Sequence, residues 1–559
     1  MKLRLIALLM LSTTILTACT TIPRSGPVLS AEIEGASSSV NVDFLPPGPS
    51  AGATPEEIIA GFIAAGTAAQ DNYQVARSYL SEQIREDWNP NYSVLIQSGE
   101  PEISVVSNNT ASYAVPIIAS VDEWGRYLGA TAVTEQALEF RFVRELGEWR
   151  LSALPDGIVL SESAFSEAFN SFRLYYFSSG YRELVADVRW FATRGEVSAK
   201  IVRALLQAPS FWLDQGSTVS AFPEGTQLAL TPIPVVDGVA AVDLTTQILS
   251  ADEITRSRML AQLTTSLGQV QGISSAKISV NQNEVVIPPL GEQGPSLTTG
   301  RDPRLLVVRD RRFGFLQGGQ IDVIDPLSGD VASLIPDKVF YSVEYAQAVV
   351  TRSDGLWHLV GNEEPRLLDE RADLVRGIID NCGYIWSSAG AFSENMAQIF
   401  SQAGSASDLP LDIGADASLV SFELARDDTR LLLLVQTTSG VRVLLAAVNR
   451  DELCRPVSLG EFVELGPLVG RGVDAAWIDD ARVAVATQEG PNGVGEVFVF
   501  DSSGRSESIG EPLRPQTLVG GVGGISGLRL LAEDGFIYQP RGNGWQATGD
   551  RANVLVTQR

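Results

Sequence analysis

The chain has 559 residues, which at about 150 per domain predicts three to four domains rather than one core. Hydrophobic residues make up 45% and charged residues 19%, so the chain folds; 41 basic against 67 acidic side chains leave a formal charge of -26, and no Lys/Arg-rich run is present to neutralise phosphates. No nucleic-acid partner is expected, and one histidine with three cysteines nearly excludes chemistry built on clustered imidazoles or thiolates.

Lys2 and Arg4 precede an apolar stretch, Leu5 to Leu16, that is too short to span a bilayer and has the form of a signal peptide over residues 1–18. It ends in Leu16-Thr17-Ala18-Cys19, which resembles the lipobox of bacterial lipoproteins. Cys19 is the expected lipidation site, S-diacylglyceryl and N-palmitoyl, and the mature N-terminus. Anionic headgroups repel so acidic a chain, and one acyl chain holds only marginally, so stable anchoring needs two or three. Residues 19–53 read as a lipidated, extended tether, Gly35 to Ala53 being rich in Ser, Pro and Gly around Pro46-Pro47-Gly48-Pro49.

The first folded unit is expected over 54–160. Thr54-Pro55-Glu56-Glu57 is a capping box with Pro at the first helical position, and Ile58, Ile59, Phe62 and Ile63 follow at helical spacing. A second helix is predicted from about Tyr73 to Ile84, then strands at Ser93 to Ile96, Ile103 to Val106, Ser112 to Ser120, Glu135 to Glu145 and Glu148 to Leu154, with a hairpin turn at Leu146-Gly147. Helices before a curved antiparallel sheet suggest an α+β cone like that of nuclear transport factor 2. A second α+β unit is expected over 173–287. It has strands at Arg173 to Phe177 and Leu184 to Trp190, helices at Ser198 to Leu206 and about Asp252 to Val270, and two closing strands around the turn Asn281-Gln282-Asn283, all on a mixed sheet.

Residues 288–303 are Pro- and Gly-rich and read as a linker. From 304 to 559 only short alternating runs remain, and roughly 255 residues at about 40 to 45 per four-stranded blade predict a propeller of about six blades, with a sandwich as the alternative. The phased blades are Leu305 to Asp330, Val339 to Leu368, Gly377 to Leu409, Ala417 to Leu459, Val469 to Ile509 and Leu518 to Ala547.

With these parts in order, the chain resembles the LpqB family of actinobacterial lipoproteins. Thr21-Ile22-Pro23-Arg24-Ser25-Gly26-Pro27-Val28 resembles the family's mature N-terminus. Leu205-Leu206-Gln207-Ala208-Pro209 and Ala221-Phe222-Pro223-Glu224-Gly225-Thr226 are similar to the GerMN domain of spore-germination proteins, and the tail resembles the LpqB propeller. The resemblance implies no catalytic residue. It implies an accessory protein of a two-component system, acting outside the cytoplasmic membrane on the ectodomain of an MtrB-like sensor histidine kinase in envelope and division control.

The residues themselves carry little chemistry. His358, in Leu356-Trp357-His358-Leu359, lacks the partners of a hydrolase and reads as a packing residue. Gly520 to Gly527 misses dinucleotide-binding spacing and reads as a loop between blades. The acidic stretch Glu363 to Arg371 reads as solvated surface, and Trp190, Phe191, Phe211 and Trp212 as core rather than a glycan platform. No catalytic residue, cofactor or metal site is expected. Cys382 and Cys454 are a candidate disulfide in an oxidising compartment. The leading function is a non-enzymatic interaction protein; the alternative is a lipoprotein that binds or cleaves envelope glycan, with cell-wall glycan as its partner.

Overall fold

The computed structural model describes residues 46–107, 109–291, 294–295, 302–390, 396–490 and 493–559. The signal sequence, Cys19 and the tether as far as Leu45 lie outside the described residues.

The capping box closes as the spacing predicts. Thr54 N–H donates to Glu57 Oε2 at 2.8 Å, Glu57 N–H to Thr54 Oγ1 at 3.3 Å, and helix α1 (Pro55–Ala65) buries Ile58, Ile59 and Phe62. The second helix is much shorter than expected: positive φ at Tyr73 delays its start by one residue, and α2 (Gln74–Ser78) ends six residues before Ile84. Leu80 then bridges Leu151, with Ser81 N–H donating to Leu151 O at 2.8 Å, so strand pairing takes over the backbone that a longer helix would have used. Strands Ser93–Gln97, Glu102–Ser107, Thr110–Asp122, Tyr127–Glu145, Glu148–Ala153 and Ile158–Ser161 form one sheet, antiparallel except where the last joins the first in parallel. A helix not foreseen, α3 (Glu162–Ala168), follows, and Ser161 caps it.

In the next unit the expected mixed sheet is divided into two. Strands Phe169–Ser178, Leu184–Ala192 and Thr218–Val219 form one, and Val235–Val236, Val239–Leu244, Ser275–Val280 and Asn283–Glu284 the other. Helices α4 (Val197–Leu205) and α5 (Glu253–Leu267) share a core with strand residues from both sheets, including Leu174, Tyr176, Val242 and Ile278.

Strand Leu184–Ala192 joins all three parts of the chain. Ala186, Val188, Trp190 and Ala192 enter the N-terminal core, while Val185 enters a propeller core and Phe191 the core of its own unit. A strand buried on both faces tolerates charge only when the charge is paired. Here Asp187 and Arg189 pair with each other at 2.5 Å, with Ser210 N–H and Oγ donating to the carboxylate and Arg189 Nη1 donating to Trp124 O.

Beyond the linker, six blades close into a ring, five of four strands and blade 4 with a fifth, Val463–Leu468, paired to its third strand, so the sandwich alternative does not apply. Blades 2 to 6 follow the predicted phasing, with innermost strands Lys338–Ser342, Leu374–Ile379, Ser418–Leu424, Arg471–Trp477 and Pro515–Val519. Blade 1 differs. Val554–Gln558, which the phasing left out, is its innermost strand, beside Leu305–Arg309. Ring closure therefore joins the two ends of the domain within one sheet and removes an exposed edge. The end of the phased first blade is a short helix, α6 (Leu327–Ser333). Gly520 to Gly527 links two strands of blade 6, not two blades, and its glycines are required by contact: a Cβ on Gly520 would lie 1.9 Å from Trp477 O.

Candidate functional site

The turns after the first strands of blades 3, 4 and 5, and after the third strands of blades 4 and 5, lie on one face of the ring and repeat one device. Asp380 accepts from Cys382 and Tyr384 N–H, Asp427 from Thr429, Asp479 from Ala481 and Arg482, Asp451 from Leu453 and Arg455, and Asp501 from Ser503 and Arg505. These aspartate turns fix the backbone and leave the second carboxylate oxygen for other partners. The middle domain sits on this face. Arg173 pairs with Asp479 at 3.2 Å and Asp480 at 3.3 Å, and Tyr175 OH donates to Asp480 at 2.6 Å. Trp190 Nε1 donates to Ser503 Oγ, and Arg430 Nη1 donates to Ala186 O at 3.1 Å.

Where the hairpin turn Ser178–Glu183 of the middle domain meets these turns, a cavity of about 920 Å³ opens. Asp428 forms part of its wall. It accepts from Asn381 N–H at 2.6 Å and from Arg559, and Arg450 Nη2 lies 3.8 Å away. Burial pushes the Asp428 carboxyl up to about 6 against the pull of Arg559 and Arg450, and Asp380 adds to the rise. Arg450 spans two blades, donating through Nη1 to Asp380 at 2.7 Å and to Cys454 O at 2.9 Å. Glu183 is different in kind: its carboxylate has no hydrogen-bond or ion-pair partner among the described residues. Burial, then Asp427 and Asp428, push it up to about 8, with Arg559 opposing and Glu344 adding. Glu344 and Glu452, also in the lining, form no ion pair among the described residues.

The arginines show the converse deficit. Arg426 Nε, Arg450 Nη2, and Arg559 Nε and Nη1 are buried without a hydrogen-bond partner among the described residues. An orphaned buried donor costs about 1–3 kcal/mol, so four around one cavity mark a place the chain alone does not satisfy.

Cys382 and Cys454 also line the cavity and are bonded to each other, Cα atoms 6.2 Å apart, tying blade 3 to blade 4 across 72 residues of sequence. Replacing both with serine is expected to lower unfolding stability by about 2–4 kcal/mol. Urea unfolding with and without reductant checks this: reductant should destabilise the parent chain and leave the double variant unchanged.

The other residues singled out in the sequence are not brought together. His358 is buried in blade 2, its Nε2 3.0 Å from Gln347 Oε1 and its Nδ1 3.4 Å from Arg366, and burial with Arg366 lowers its pKa to about 4. Trp190, Phe191 and Trp212 are buried in three different cores, leaving Phe211 exposed without them. In the acidic stretch, Glu363, Glu364 and Glu370 are exposed, while Asp369 is buried on Arg371 and Ser387. Among the described residues no group of three or more His, Cys, Asp or Glu is placed to hold a metal ion. Sequence reasoning missed the cavity residues Glu183, Asp428, Arg450 and Arg559; the recurring aspartate at the blade turns was the available signal.

Three family models match the chain in order: the lipoprotein LpqB N-terminal domain over 48–166, the sporulation and spore germination domain over 173–286, and the lipoprotein LpqB beta-propeller domain over 313–553. Lipoprotein LpqB of Cutibacterium acnes is 26% identical over 51% of this chain, which spans about half (48%) of that relative's length. Lipoprotein LpqB of Streptomyces avermitilis is 24% identical over 95% of this chain and 94% of its own. The first GerMN domain of the sporulation protein GerM from Bacillus subtilis aligns with 23% of this chain and 98% of its own at 15% identity and a TM-score of 0.19. Two LpqB-specific domains flanking a germination-type domain, in a relative matched almost end to end, settle the affiliation: the chain belongs to the LpqB family of lipoproteins.

Proposed function

We propose that this protein is a non-enzymatic accessory partner of a sensor histidine kinase of the MtrB kind, held at the outer face of the cytoplasmic membrane by lipid on Cys19. The lipobox-like Leu16 to Cys19 supports the anchor, as does the lipoprotein family, and no helix among the described residues is long and apolar enough to cross a membrane. The observation that carries the partner role is a set of apolar side chains exposed among the described residues on the propeller face away from the middle domain. The middle domain occupies one face; on the other, Val494 and Leu513 are bridged through their backbones and expose 45% and 66% of their surface, and Val469 exposes 71%. Clustered apolar side chains on an otherwise acidic protein are a protein-binding feature.

A photo-crosslinking residue at Leu513 in cells is expected to capture the kinase ectodomain, and Leu513→Asp in the same chain to weaken capture from a second position, Val469. If the kinase is never captured from either position while the protein stays in the membrane fraction, the reading fails. Cys19→Ser is expected to move the chain out of that fraction.

A further inference from the structure

We propose that the cavity between the middle domain and the propeller binds a small zwitterion of amino-acid or short-peptide size, its carboxylate received by Arg450 and Arg559 and its ammonium by Glu183, Glu344 and Glu452. This inference is independent of the kinase partnership.

Arg450 and Arg559 are nine-tenths buried or more, with side-chain exposures of 10% and 7%, and each keeps guanidinium N–H groups with no hydrogen-bond acceptor among the described residues. Both side chains line the cavity. Glu183, and the exposed Glu344 and Glu452, form no ion pair among the described residues. A ligand that meets both needs carries both charges. A polyanion would meet the arginines but face the carboxylates of Glu344 and Glu452, and a simple amine would leave the guanidinium groups unmet. A neutral sugar would lack a stacking surface, because no Phe, Tyr or Trp lines the cavity. A bare metal ion has no cluster of three ligands here among the described residues. The volume, about 920 Å³, suits a ligand from one residue to a short peptide. The disulfide Cys382–Cys454 and the aspartate turns hold the wall in place before binding, which limits the ordering cost of association.

Glu183 gives the proposal a signature. Its carboxyl faces Asp427, Asp428 and Glu344, opposed by Arg559, and stays largely protonated at neutral pH. An arriving ammonium favours the ionised form, so binding at pH 7 should release about one proton.

The test is calorimetry on the full mature chain with glycine, alanyl-alanine, trialanine, N-acetyl-alanyl-alanine, alanyl-alanine amide and diacetylchitobiose, in two buffers of different ionisation enthalpy. The expected result is that at least one free zwitterion binds about tenfold or more tightly than either blocked dipeptide, with proton release. Glu183→Gln should abolish the proton release and weaken binding by about tenfold. Glu344→Gln, on the exposed rim where folding is not at stake, should weaken it by a few-fold. Equal binding of the blocked and free dipeptides, competition by diacetylchitobiose, or no heat from any of the three zwitterions at about 10 mM would each overturn the proposal.

Discussion

Asp474→Ala is expected to lower the unfolding free energy by about 3–5 kcal/mol, among the largest effects of any single substitution in the chain, because Asp474 holds four blades at the axis of the ring. Its Oδ1 accepts from Arg376 of blade 3 at 2.7 Å and from Ser421 of blade 4 at 2.6 Å, and its Oδ2 accepts from Leu518 N–H of blade 6 at 3.0 Å. It is fully buried, so truncation leaves the Arg376 guanidinium at 6% exposure with only Glu423, 3.5 Å away, to oppose it. The geometry repeats: the innermost strands of blades 3 to 6 shift register at Leu374/Arg376, Leu419/Ser421, Gly472/Asp474 and Pro515/Thr517. Each shift turns a polar residue toward the axis. Urea unfolding followed by tryptophan fluorescence checks the magnitude, since Trp477 lies on the same strand and donates to Glu423 O.

Acid should show the same group at work. Burial raises the Asp474 carboxyl, but Arg376, Lys338, Ser421 and the Leu518 N–H outweigh it and hold the folded value below the ordinary carboxylate value. A depressed pKa contributes stability that is present above the unfolded value, about 3.9, and lost as pH falls toward the folded one. Asp474→Asn, which keeps the shape without the titration, should therefore lose stability at pH 7 but show a shallower decline than the parent below about pH 4. An identical acid slope in the two chains would remove Asp474 from the account.

Much of the fold was legible where physics is local. Thr54 with Glu57, the Leu146-Gly147 turn with both residues at positive φ, and Asn281-Gln282 likewise are chemical punctuation that acts over three or four residues. The six blades were legible because strand length and turn spacing repeat. What escaped was set by partners far away in sequence. Val554–Gln558 has the short apolar run of a buried strand, yet nothing nearby says that it pairs with Leu305–Arg309 across the whole domain. Tyr73 to Ile84 had helical spacing, but Leu151 claims Leu80. Strand Leu184–Ala192 looked like one domain's own strand because its alternation does not disclose that each face meets a different neighbour. The cavity was hidden for the same reason: Glu183, Asp428, Arg450 and Arg559 are each ordinary charged residues until the ring and the docked hairpin place them together.

Arg430→Met should cost about 3–5 kcal/mol and, unlike the axial substitution, loosen the middle domain from the propeller. Arg430 is wholly buried; it pairs with Asp427, donates to Ala186 O in the joining strand, and lies 4.8 Å from the centre of the Trp477 ring. Burial raises the Asp427 carboxyl, and Arg430 first and Thr429 second more than reverse this and hold it low. Without the guanidinium an isolated buried carboxylate remains, which is far costlier than losing the pair together. A second change, Asp427→Asn, should accordingly restore a large part of the loss, giving a coupling of about 1 kcal/mol or more in a double-mutant cycle. The domain effect separates from the stability effect by hydrogen exchange. In Arg430→Met, residues 184–192 should exchange faster at a denaturant concentration where Asp474→Asn leaves them protected, because the lost bond is to Ala186 O itself while the axial network touches only propeller strands. If both variants deprotect that strand equally, Arg430 stabilises the ring alone, and the joining of the domains rests on Arg173, Tyr175 and their aspartates.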